Sequence, residues 1–195
     1  ERFDPEEKVA AILPVEEFDD HHYIVFATEQ GIVKKTPLMD FSNPRVTGII
    51  AIKIQEGDRL LSAKLTDGEQ DIFLGTYLGK SIRFPEKQCR AMGRATMGVK
   101  GIQLAEGDVV VGVDIVGQAG AMLTVTENGF GKRTDVSQYR PQNRGGKGLI
   151  DIKTSPRNGP VVAQKLVDEE GEVMIITSAG KLMRTGGKGI KVQGR

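Results

Sequence analysis

Tryptophan is absent from the 195 residues, aromatic side chains make up only 5% of them, and cysteine occurs once, at Cys89. So few rings leave little with which to stack unpaired bases, which argues against recognition of single strands or of looped RNA. A lone thiol closes no intrachain disulfide, and nothing in cysteine usage points to an oxidising compartment. Long hydrophobic runs are also missing. No stretch approaches the ~18 consecutive apolar residues of a membrane helix, and the acidic opening Glu1-Arg2-Phe3-Asp4 lacks the basic and apolar parts of an export signal. A soluble cytosolic protein that makes no contact with a membrane is expected. The first residue is Glu and the last, Arg195, falls in mid-pattern, so the chain reads as a piece of something longer. A strong charge of one sign is the last absence: 27 Lys and Arg stand against 26 Asp and Glu, a net +1. Taken alone, that balance speaks against a polyanion binder.

What the chain does have is a repeat, and a fixed period dictates architecture. Thr28, Gly31, Lys35 and Thr36 recur as Thr76, Gly79, Arg83 and Phe84, as Thr126, Gly129, Arg133 and Thr134, and as Thr177, Gly180, Arg184 and Thr185. The glycines lie 48, 50 and 51 residues apart. Short apolar runs rich in Val and Ile, bounded by Gly, Asp, Asn and Pro, predict strands rather than helices. Four hairpins are expected, at 23–28 with 32–36, 71–76 with 81–84, 121–126 with 130–134, and 172–177 with 181–185. Each turn holds a glycine suited to positive φ. Further apolar runs precede the hairpins (9–13, 60–65, 110–116, 161–167) and follow them (49–54, 101–104, 149–153, 189–192), so each repeat predicts a four-stranded unit of its own. Four-stranded units of about fifty residues suit propeller-like blades. The expected fold is all-β, one domain of tandem antiparallel blades at roughly 5–56, 57–104, 105–153 and 154–195.

Charge is segregated along this repeat. The windows 28–53, 79–104, 129–157 and 177–195 hold 22 of the 27 cationic residues and 5 of the 26 acidic ones, a net +17 against −16 elsewhere. Equivalent segments fall at equivalent places on successive blades, so these windows predict a continuous curved basic stripe, the footprint of a tracked polyanion. Its clearest glycine-rich stretch is Gln142-Asn143-Arg144-Gly145-Gly146-Lys147-Gly148. Neither a major-groove helix nor a zinc-ligand set is present, so contacts to phosphate and a preference for bendable duplex are expected. The candidate DNA-contacting residues are Lys35, Arg45, Arg83, Arg90, Arg94, Lys100, Lys132, Arg133, Arg140, Arg144, Gly145, Gly146, Lys147, Arg184, Lys188 and Arg195. The two glycines enter because backbone N–H groups without a neighbouring Cβ can approach phosphate closely.

Other motifs carry less. Gly75-x-x-x-Gly79-Lys80-Ser81 has three residues between its glycines where a phosphate loop needs four, and it sits in a hairpin. His21 and His22 are adjacent in a turn and read as loop residues. Cys89 has no recurring His partner, and no Ser/His/Asp set converges, so neither a catalytic residue nor a cofactor or metal site is expected.

The hairpin signature, Arg90-Ala91-Met92-Gly93, Asn128-Gly129-Phe130-Gly131-Lys132-Arg133-Thr134 and the 142–148 stretch together resemble the C-terminal domain of the DNA gyrase A subunit, a type IIA topoisomerase, over essentially the whole chain. The resemblance implies a β-pinwheel whose rim wraps double-stranded DNA so that the enzyme introduces negative supercoils. It implies a nucleoid-associated protein whose partners are the rest of the A subunit together with the B subunit in an A2B2 holoenzyme, with DNA cleavage and ATP hydrolysis elsewhere. The family's basic box has Arg where this chain has Asn143, and it usually lies in the first blade rather than the third repeat. The related topoisomerase IV C-terminal domain is the alternative within the family. A protein-interaction propeller is the alternative outside it, disfavoured by the charge of the stripe.

Overall fold

The computed structural model describes residues 8–195; the acidic opening and the first residues of the first predicted blade lie outside them. All four predicted hairpins form: β1 (Tyr23–Thr28) with β2 (Ile32–Pro37), β4 (Asp71–Thr76) with β5 (Lys80–Pro85), β8 (Ala121–Thr126) with β9 (Gly131–Asp135), and β12 (Glu172–Ile176) with β13 (Leu182–Gly186). The repeat signature explains the turns. The threonine carbonyl accepts from the glycine N–H three residues on, at 3.0 Å for Thr28 and Gly31 and 2.9 Å for Thr177 and Gly180. The glycines take φ between +78° and +83°, where a side chain would be strained.

The remaining strands are β3 (Leu60–Thr66), β6 (Val99–Lys100), β7 (Val110–Val116), β10 (Leu149–Ile150) and β11 (Val161–Val167). Their partners overturn the expectation that each repeat builds its own sheet. The sheets run β3-β1-β2-β6, β10-β5-β4-β7, β11-β8-β9 and β12-β13. Hairpin β1-β2 therefore takes both flanking strands from the next repeat, as does β4-β5. Runs 9–13 and 49–54 form no strand, and of 101–104 and 149–153 only Leu149 and Ile150 do, with Val99 and Lys100 forming the other short edge. A sheet thus spans chain from one predicted blade into the following one.

β3, β7 and β11 pack side by side at the centre, and the short strands β6 and β10 lie at the opposite edge. Between successive sheets the faces close over apolar side chains. Val25, Ala27 and Val33 of the first meet Ile72, Leu74, Ile82 and Phe84 of the second. Phe73 and Val116 of the second meet Met122, Val136 and Tyr139 of the third, with the Tyr139 ring edge-on to Phe73 at 5.1 Å. Hairpin β12-β13 has no strand on either side among the described residues, and Met174, Ile176, Leu182 and Met183 are each more than half exposed.

Candidate nucleic-acid interface

Cations that look alike in the sequence separate into two kinds. At the fourth position after each hairpin glycine stand Lys35, Arg83, Arg133 and Arg184, and the first three are buried, with 6%, 5% and 3% of their surface exposed. They reach into the next blade. Arg83 pairs with Asp71 of its own hairpin at 2.6 Å and donates to the carbonyls of Val136 at 3.0 Å and Gly117 at 3.2 Å. Arg133 donates from Nε to the Ile190 carbonyl at 3.0 Å, and its Nη1 is buried without an acceptor. Lys35 meets Glu86 at 3.4 Å and stands 5.0 Å from the centre of the Tyr23 ring. Lys132 is likewise buried, donating to the carbonyls of Asp151 at 2.6 Å and Gly194 at 2.9 Å. Lys35, Arg83, Lys132 and Arg133, expected on the DNA path, are thus clamps between blades. Each of these charges faces protein groups from a buried position rather than the surface. Arg184 is exposed and pairs with Glu172 of its own hairpin, and Lys188 is exposed and pairs with Glu170.

The second kind lies along the outer edge, on the segments that follow the hairpins. Arg45, Arg90, Lys100, Arg140, Lys147 and Arg195 are exposed and Arg94 is half-buried. None of them has an ion-pair partner among the described residues. The stretches 41–55, 87–104 and 136–150 contain no Asp or Glu at all. These segments are joined in series. The Lys53 N–H donates to the Thr96 carbonyl at 3.0 Å, and the Gly145 N–H to the Gly101 carbonyl at 2.7 Å. The Gln103 N–H donates to the Gly146 carbonyl at 2.9 Å. Backbone hydrogen bonds of this kind make the cationic edge one connected surface, on which Arg45 and Arg94 border a common depression.

Gly145 and Gly146 play a different part from the one expected. Their N–H groups are spent on the carbonyls of Gly101 and Asn143, so they are not free for phosphate. Gly145 takes φ +78°, where a side chain would be strained, and at the neighbouring Gly148 φ is +69° and a Cβ would come within 2.6 Å of the Ser81 carbonyl oxygen, blocking the close crossing of the edge over β5. Arg144 is half structural. Its guanidinium donates to the carbonyls of Gln88 at 3.2 Å and Lys100 at 2.6 Å, tying the 142–148 loop to the rim segment before it.

Sequence reasoning missed Lys34, which is fully buried with its ammonium on the carbonyls of Ala51, at 2.7 Å, and Arg94. It also missed a buried network in the third blade. There the Asp151 carboxylate accepts from the Tyr139 hydroxyl at 2.6 Å, the Thr124 hydroxyl at 2.7 Å and the Gln164 amide at 2.7 Å. Burial, then the nearby Asp151 charge, hold the Tyr139 hydroxyl far above its usual range, so it stays a donor. Of this network only Thr124 and Gln164 lie among apolar residues inside long strands, which is the one signal the sequence offered; Tyr139 and Asp151 lie outside strands. Burial pushes the Cys89 thiol up to about 11, against the opposing charges of Arg144 and Lys35. No group of three potential metal ligands occurs among the described residues, and no helix is long and apolar enough to cross a membrane.

Comparison with known proteins agrees with this architecture. The family model described as the DNA gyrase C-terminal domain, a beta-propeller, matches residues 22–67, 70–117, 121–163 and 171–195. Each range begins at a hairpin; the first two take in the strand after it, β3 and β7, and the third reaches the start of β11. The DNA gyrase A subunit of Salmonella typhimurium is 46% identical over 189 residues, and that of Escherichia coli 46% over 190; each match covers 97% of this chain and 22% of the relative. The chain thus spans about a fifth of the length of these relatives. A solved DNA gyrase A C-terminal domain superposes with a TM-score of 0.89 at 28% identity, covering 98% of this chain and 64% of that one. A topoisomerase IV C-terminal domain gives 0.92 at 23% identity, covering 99% and 61%, a likeness of fold. The fold is the β-pinwheel of these proteins, and the chain belongs to the DNA gyrase C-terminal domain family.

Proposed function

We propose that this chain binds and bends duplex DNA along its outer edge, as the wrapping module of a DNA gyrase A subunit, and that it carries no chemistry of its own. The observation that carries this reading is the connected, acid-free rim bearing Arg45, Arg90, Arg94, Lys100, Arg140, Arg144, Lys147 and Arg195. Each cation neutralises a phosphate and releases condensed counterions, an attraction indifferent to base sequence. A duplex that follows a curved edge must bend, at a cost of order 1–6 kcal/mol over 20–30 bp, which successive rim contacts offset. Family membership supports a role in negative supercoiling by a holoenzyme that joins the rest of the A subunit to a B subunit, where strand cleavage and ATP hydrolysis reside. The higher identity to gyrase relatives favours that parent over topoisomerase IV.

End-to-end fluorescence transfer on duplexes of increasing length tests the reading. Transfer should rise once the duplex spans more than one rim segment. The R140A/K147A variant should bind short duplexes nearly as well and bend long ones much less. Straight DNA at saturating protein, or bending untouched by the double substitution, overturns the rim as the path.

A further inference from the structure

The third residue after each hairpin glycine is Lys34, Ile82, Lys132 and Met183 in turn. In the first blade Lys34 is 0% exposed. Its ammonium binds the Ala51 carbonyl at 2.7 Å and the Arg94 carbonyl, one on its own repeat's rim segment and one on the next repeat's. Lys132 makes the matching pair in the third blade, to the carbonyls of Asp151 at 2.6 Å and Gly194 at 2.9 Å. Ala51 and Asp151 occupy the same place in Ile-Ala-Ile-Lys and Ile-Asp-Ile-Lys. In the second blade the apolar Ile82 stands there, and the loop above it carries paired glycines, with a Cβ on Gly146 falling 3.6 Å from the Ile82 side chain. Rim loops are therefore seated in two ways, by an ammonium beneath a carbonyl or by an apolar side chain beneath glycine.

The fold itself does not demand the lysine. Ile82 and Met183 show that an apolar residue suits the hairpin, and a buried ammonium is a burden: desolvation pushes Lys34 down to about 8, opposed by the field of Asp40. Unlike Lys132, whose ammonium lies 3.4 Å from the Asp151 carboxylate, Lys34 has no ion-pair partner among the described residues. β1 offers only the Phe26 ring, 6.0 Å away; the turn 38–41 offers Asp40, and the two rim segments carry Lys53 and Arg94. What the ammonium does supply is a hold on the compact 93–96 turn. There the Thr96 N–H returns to the Arg94 carbonyl at 2.9 Å and the Thr96 carbonyl accepts from Lys53.

We propose that Lys34 is a positioning residue of the rim: from inside the first blade it fixes the 92–98 loop so that Arg94 and Arg45 present their charges to one duplex, and Lys132 does the same for the segment bearing Arg195. This deepens the DNA-path reading and rests on it. The role predicts a separation of effects. Lys34→Met removes both donors and the buried charge but keeps the volume, so the loop loosens while the blade keeps its packing.

The test uses the 195-residue chain, with amide hydrogen exchange at Lys53 and Thr96, thermal unfolding below pH 8, and affinity for a 30-bp duplex. In K34M those amides should exchange about tenfold faster, and affinity should fall about fivefold, with the melting temperature unchanged or higher. Unchanged exchange, or faster exchange with unchanged affinity, overturns the proposal. So does a loss of affinity that only tracks a lowered melting temperature. If the unmodified chain binds no duplex, the DNA-path reading fails and takes the proposal with it; that outcome is distinct, because it appears before any substitution. Should K34M not fold, the unmodified chain answers instead: the Thr96 and Lys53 amide resonances should titrate with a midpoint near pH 8. Resonances flat from about pH 7 to 11, a range that also spans the ordinary lysine value, overturn the proposal.

Discussion

Replacing Arg83 by alanine separates a clamp from a DNA contact. Arg83 is 5% exposed, and its guanidinium serves three acceptors, the Asp71 carboxylate and the carbonyls of Val136 and Gly117. Alanine leaves the largely buried Asp71 carboxylate without its partner, takes the arginine donors from the Gly117 and Val136 carbonyls, the second of which keeps the Tyr139 N–H at 3.1 Å, and opens a void between the second and third blades. Losing one member of such a pair costs about 3–5 kcal/mol. In a chain of this size each kcal/mol lowers the melting temperature by roughly 2–4 °C, so R83A should melt roughly 10 °C lower. Arg184 provides the control, because it fills the same place in the repeat but pairs with Glu172 in the open, the two side chains 64% and 55% exposed. R184A should change stability by less than about 0.5 kcal/mol. Differential scanning calorimetry reads both. At temperatures where R83A is folded, its binding to duplex should show the salt dependence of the unsubstituted chain. An R83A protein that melts normally yet loses one unit of salt slope would refute the division of cations drawn from burial.

R140A should leave the melting temperature unchanged and lower the slope of log affinity against log salt by about 0.9, the share of one phosphate contact, as measured by fluorescence anisotropy between 50 and 200 mM salt. G148A should destabilise by more than about 1 kcal/mol and loosen the pairing of Leu149 with Ser81, because the added Cβ meets the Ser81 carbonyl at positive φ; amide exchange of that edge is the readout. Cys89, 1% exposed with its thiol raised to about 11, should resist thiol reagents at pH 8 until the chain is unfolded, and fast stoichiometric labelling of the native protein would contradict the structure.

The hairpins were legible to within a residue or two because their determinants are local: a threonine, a glycine three residues later, and β-branched flanks. The sheets were not. Which repeat supplies the edge of a sheet is settled by the packing of β3, β7 and β11 at the centre, and periodicity records only that some strand recurs, not where it docks. The candidate site divided for a related reason. Lys35, Arg83 and Arg133 stand four residues after the hairpin glycine, inside a strand that the next blade covers, whereas Arg184 at the same step stays exposed because no strand flanks its hairpin among the described residues. Arg94, Arg144 and Arg195 keep a step as regular, fifteen residues after the hairpin glycine, and Arg90 and Arg140 stand eleven after it, but those steps carry them past the buried strand onto the outer edge. Net charge counts both kinds alike, which is why the windows revealed a basic edge but not which side chains form it. Lys34 escaped notice because a lysine inside an apolar strand looks like a solvated one until its carbonyl partners are seen.

Because the first two hairpins draw their outer strands from the following repeat, a chain emerging from synthesis completes each of these blades one unit late. At 5–20 residues per second, a repeat of about fifty residues leaves the preceding hairpin open for roughly 3–10 s. During that interval Val25, Val33 and Ile82 have neither the facing sheet nor the edge strand that later covers them. The growing domain therefore always carries one unfinished surface at its leading end, and that surface is the one that selects the next unit.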